Sequence, residues 1–98
     1  MDINSLNTPT ELVNYLNRFL SARQKAYEFY NRLNSVRQSK IQKLRHLSGQ
    51  MAKMEKGAII RELYKNREDI LFLCNTESSA FKAWNDFFNI HNYDNKTK

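Results

Sequence analysis

From Leu12 to Leu44 the apolar residues return every three or four positions, and this rhythm constrains the fold more tightly than any other feature. Leu12, Leu16, Phe19, Leu20, Ala26, Tyr27, Tyr30, Leu33, Ile41 and Leu44 are mostly separated by three, four or sums of the two, the spacing at which side chains share one face of an α-helix. At about 100° per residue they cover an arc roughly 140° wide. Arg18, Lys25, Arg32 and Lys43 fall on the opposite side. Alternatives to helices lack raw material. With two glycines and one proline in 98 residues, the chain has neither the turn residues of a β-sandwich or barrel nor the glycine cluster of a phosphate-binding loop.

The start of the first helix is sharply specified. Thr8-Pro9-Thr10-Glu11 places an N-capping threonine, a proline at the first helical position and a glutamate three residues after the cap. Each satisfies or removes a backbone N–H that would otherwise lack a partner. Residues 1–7 read as a flexible lead-in. The helix can run to Leu47, with Arg45 and His46 in its last turn and Gly49 as a left-handed C-cap. A competing break lies at Asn34-Ser35, with Ser35 capping a helix through Gln38. The break at 48–50 is preferred. It implies a helix about 57 Å long at 1.5 Å per residue, more than a small globule can cover.

A second helix is expected over 50–74 and a third over 78–90, with a flexible tail at 91–98. Leu44, Leu47, Met51, Met54 and Ala58 form a heptad-like stripe across the proposed turn, which itself argues for continuity at Gly49. Gly57, inside helix two, invites a close helix approach. Tyr15, Phe19, Tyr27, Phe29 and Tyr30 gather on helix one, and Phe81, Trp84, Phe87 and Phe88 on helix three. Two such surfaces should cover one another. The expected fold is therefore all-α, a single domain over 1–98. It is a three-helix bundle, or extended helical hairpin, whose short aromatic-rich third helix packs on the first half of helix one.

A hydrophobic content of 41% argues against disorder, and no apolar run approaches the roughly 20 residues of a membrane span. A signal peptide is not expected either, because residues 1–7 lack an apolar segment. The single cysteine, Cys74, lies in the run Ile70-Leu71-Phe72-Leu73-Cys74 and reads as a buried small hydrophobe. These features suit a reducing compartment, cytoplasmic or nuclear.

Charge is the feature with functional content. The net charge is +6, and no acidic residue occurs between Phe29 and Met54. That stretch carries Arg32, Arg37, Lys40, Lys43, Arg45 and Lys53, together with His46. Such a segment is either an ordinary solvated face or a patch for an acidic protein or a nucleic acid. Zinc spacing, aromatic-glycine RNA signatures and helix-turn-helix patterns are lacking. His46 and His91 stand 45 positions apart in the numbering, His46 reading as a surface helix-cap residue. Neither belongs to a metal-ligand pattern, and no nucleophile–base set can be written around Cys74 or any serine.

The sequence thus points to a non-catalytic helical adaptor or assembly subunit with no cofactor. It would dock on a helical partner, or on a second copy, through Leu44, Leu47, Met51, Met54, Trp84 and Phe88. The alternative is a small basic nucleic-acid-associated or regulatory protein using the 32–53 segment.

Overall fold

Residues 3, 6, 8–31, 35–74 and 78–91 are described by the computed structural model, and five α-helices run through them. These are α1 (Pro9–Asn31), α2 (Ser35–Met51), α3 (Lys56–Lys65), α4 (Arg67–Leu73) and α5 (Ser78–Ile90). The described residues contain no strand. The all-helical class is as expected, but five helices replace the expected three.

The capping box forms as predicted. The Thr8 N–H donates to Glu11 Oε1 and the Glu11 N–H to Thr8 Oγ1, both at 3.2 Å. Downstream the boundaries move. The expected helix over 8–47 is divided between α1, which ends at Asn31, and α2, which Ser35 opens. Arg32, Leu33 and Asn34 lie outside the described residues. The preferred break at 48–50 is absent. Gly49 sits inside α2, and no described glycine has a positive φ. The reason is packing on the other side of the same turn. Leu44, Ser48 and Met51 are buried, and their contacts outweigh the roughly 1 kcal/mol that a helical glycine costs.

The chain turns one step later, where the Lys53 N–H donates to Gln50 O at 3.3 Å and the Met54 N–H to Met51 O at 2.9 Å. Arg45 and His46 therefore lie ahead of the last turn of α2, which holds no basic residue. His46 is an exposed mid-helix residue and not a helix cap.

The expected helix two is also divided. At Asn66 (φ −104°, ψ 17°) α3 ends and α4 begins. The Asn66 Nδ2 donates to Glu62 O at 2.8 Å, the kind of local side-chain bond by which asparagine competes with the helical backbone. Arg67 reinforces the joint, with Nη1 donating to Tyr64 O at 3.2 Å and its guanidinium 4.4 Å from the Tyr64 ring centre. Gly57 makes no close helix approach, since a Cβ there would meet only Arg61 Nη1 at 3.8 Å.

Helix α2 runs antiparallel to α1. Ser48 Oγ donates to Asn17 Oδ1 at 2.7 Å, while Arg45 reaches Gln24 Oε1 and Ser21 Oγ at 3.1 Å each. On its other side α2 meets α4, also antiparallel, with Lys40 opposite Asp69 and Arg37 opposite Phe72. The aromatic layer forms as expected. The Trp84 ring of α5 lies 5.6 Å from Tyr15 and 5.6 Å from Phe19 of α1, and Phe87 and Phe88 close around it. Phe81 departs from this stripe and is exposed, while the side chains of Tyr27, Phe29 and Tyr30 lie outside the described set.

The lead-in contributes to the core, contrary to the flexible segment expected over 1–7. Ile3 and Leu6 are 1% and 6% exposed, apolar enough to be drawn onto the α-helical core. Of the expected tail only His91 is described, half-buried against the Phe87 ring at 4.6 Å. The radius of gyration is 13.2 Å, near the roughly 13 Å of a compact 100-residue domain. The longest dimension, 40 Å, is well below the length that an unbroken first helix would demand.

Candidate interaction face

The predicted apolar partner residues serve the chain's own core. Leu44, Met51, Trp84 and Phe88 are buried, and Leu47 and Met54 are partly buried against the same cluster. None of the six is an exposed anchor. The premise behind them, helices too long for the available core, falls with the break after Asn31.

The basic segment is divided by the same packing. Arg45 faces α1 through Gln24 and Ser21, Lys53 is exposed in the turn after α2, and Arg32 lies outside the described residues. Arg37, Lys40 and Lys43 remain together. Their spacing of three places them on one side of α2, facing α4. The Lys40 and Lys43 ammonium groups both reach Asp69, at 2.9 Å to Oδ1 and 3.0 Å to Oδ2. Arg37 lies 4.5 Å from the Phe72 ring centre, and Lys40 Nζ lies 5.3 Å from it. The Arg37 Nη1 also donates to the Phe72 carbonyl at 3.4 Å.

Two apolar side chains complete this face. Val36 is 57% exposed and Phe72 37%. Val36 lines a shallow depression of about 400 Å³ together with Ser35, Ser39, Lys40, Lys43 and Asp69. Neither Phe72 nor Asp69 was among the expected site residues, although the sequence carries a signal for Phe72. Ile70 to Cys74 are five successive apolar residues, and five successive helical positions cannot all face inward. Ile70, Leu73 and Cys74 are fully buried, so Phe72 points out.

The electrostatics are governed by Asp69. Partial burial pushes its carboxyl up. Hydrogen bonds and Coulombic attraction from Lys40 and Lys43 outweigh that and hold it below the ordinary value of 3.8. The face therefore carries two lysines paired to an ionised Asp69, with Arg37 beside them on Phe72.

Among the described residues no group of three or more His, Cys, Asp or Glu could hold a metal ion. Cys74 is buried and is not in a disulfide. The His91 imidazole, pushed below its usual 6.5 by burial and then by the charge of Lys56, packs on Phe87. No helix among the described residues is long and apolar enough to cross a membrane. No family model matches the chain, and no curated protein or solved structure is found similar to it.

Proposed function

We propose that the protein is a non-catalytic helical docking module that binds an acidic, amphipathic segment of a partner protein across α2 and α4. The observation that carries this reading is the exposure of Val36 and Phe72 beside Arg37, Lys40 and Lys43. An exposed aromatic flanked by the cations of Arg37 and Lys40 offers a partner both apolar area and charge complementarity. A polyanion without apolar side chains would use only half of it. Because Asp69 already answers Lys40 and Lys43, an incoming carboxylate competes with it. A cytoplasmic or nuclear setting suits a chain whose one cysteine is reduced and buried.

Nuclear magnetic resonance of the full chain tests the proposal with three defined probes: an amphipathic Glu/Leu helical peptide, poly-glutamate and a short DNA duplex. The expected result is saturable shifts at 36–43 and 69–72 with the first probe and much weaker ones with poly-glutamate. Stronger binding of the duplex at these residues, with the steep salt dependence of counterion release, would move the function to nucleic acid. Shifts absent from this face would refute the proposal.

A further inference from the structure

A second surface carries its own chemistry, independent of the α2/α4 face. Tyr15, Arg18, Phe19 and Arg23 of α1 turn toward the first turns of α5, and with Ser79 and three alanines they line an open cleft of about 390 Å³. That volume is near the lower end of small-molecule sites, roughly 300–1,000 Å³. It accommodates one ring and a head group. Among the described residues the lining holds two cations and no carboxylate.

The two arginines differ in position. Arg18 is exposed at the rim, whereas Arg23 is only 6% exposed and its guanidinium lies 5.5 Å from the Phe19 ring centre. Withdrawal from water makes an oxyanion contact at Arg23 stronger than the same contact on the surface. The planar fork of arginine matches carboxylate and phosphate oxygens in pairs. Beside them the aromatic wall is held in place, because Tyr15 and Phe19 both pack on Trp84 with ring centres 5.6 Å away. The alanines leave open the space that larger side chains would fill. Partial positive charge at the start of α5 adds to the attraction for an anion.

We infer that this cleft binds a small aromatic oxyanion, a single ring bearing a carboxylate or phosphate, with Arg18 and Arg23 taking the head group and Tyr15 and Phe19 the ring. Inorganic phosphate would leave the aromatic wall uncovered, and a neutral ring would bring no negative charge to the two guanidiniums.

Trp84 is the only tryptophan and touches both wall aromatics, so its fluorescence reports occupancy. The test titrates the full chain with benzoate, phenyl phosphate, inorganic phosphate and benzyl alcohol, and follows backbone amide shifts in parallel. Benzoate or phenyl phosphate should saturate with shifts at 15–23 and 79–83, and the tighter of the two identifies the head group. Inorganic phosphate and benzyl alcohol should bind at least about tenfold more weakly. Arg18→Gln, at an exposed position that leaves the fold intact, should weaken binding by about tenfold, the worth of one charge-assisted hydrogen bond. Arg23→Gln should do the same wherever it folds. Failure of both aromatic anions to saturate, shifts confined to 36–43 and 69–72, or unchanged affinity in Arg18→Gln would overturn the inference.

Discussion

Replacing Asp69 with Asn removes the charge that ties α2 to α4 while keeping the side chain's shape. Asp69 is 20% exposed, and its partners Lys40 and Lys43 are 29% and 61% exposed. Ion pairs at such exposure contribute about 0.2–1 kcal/mol each, with the more solvated Lys43 at the low end. The expected loss is therefore about 1 kcal/mol at neutral pH, or a fall in Tm of roughly 4–8 °C for a domain of this size. The pH dependence supplies the sharper signature. The Asp69 carboxyl is held below its ordinary 3.8, so the folded state favours ionisation. Its contribution is fully present above 3.8 and is lost as pH falls through the lower folded value. The gap between wild type and Asp69→Asn should hold constant from neutral pH to about 4 and close below it. Urea unfolding of both proteins across that range, at low and high salt, measures this directly. Equal stability at neutral pH, or a gap that survives full protonation, would refute the reasoning.

Three further outcomes follow from the packing. Gly49 lies in a helical conformation, and a Cβ added there would meet nothing within 4 Å, so Gly49→Ala should stabilise by about 0.5–1 kcal/mol in urea unfolding; a left-handed cap at this position would give the opposite sign. Leu44 is fully buried, and Leu44→Ala should cost about 2–5 kcal/mol, a loss that an exposed partner anchor would not show. The His91 imidazole should titrate below 6.5 by nuclear magnetic resonance because burial and Lys56 disfavour its charged form. Its linkage makes stability fall as pH drops from 6.5 toward the folded value and stay level above 6.5. A midpoint at or above 6.5 would contradict that environment.

Features with a local cause were legible in the sequence. The Thr8–Glu11 capping box needs only four adjacent residues, and the periodic face of Leu12, Leu16, Phe19 and Leu20 needs only one helix. The aromatic repeat of α5 likewise announced its docking on Tyr15 and Phe19. Breaks were harder, because each is decided by competition. Gly49 looked like a stop, yet the burial of Leu44, Ser48 and Met51 carries the helix past it. Asn66 looked ordinary, yet its amide captures the Glu62 carbonyl and ends α3.

For the candidate face, the run of cations from Arg32 to Lys53 was visible, but its division was not. Lys40 meets an Asp69 that lies 29 residues further along the chain. Only the packing of α4 against α2 separates Arg37, Lys40 and Lys43 from Arg45, which turns toward α1. Ile3 and Leu6 lie apart from any periodic run, so no pattern marked them as core.

The affinity of the Glu/Leu helical peptide for wild type, Asp69→Asn and Phe72→Ser, measured by calorimetry over a salt series, tests the docking face most directly. Freeing Lys40 and Lys43 should tighten binding a few-fold at low salt, an advantage that shrinks as salt rises. Loss of the exposed ring should weaken it by about tenfold, from roughly 1.5 kcal/mol of apolar contact. Three indistinguishable affinities would contradict the account.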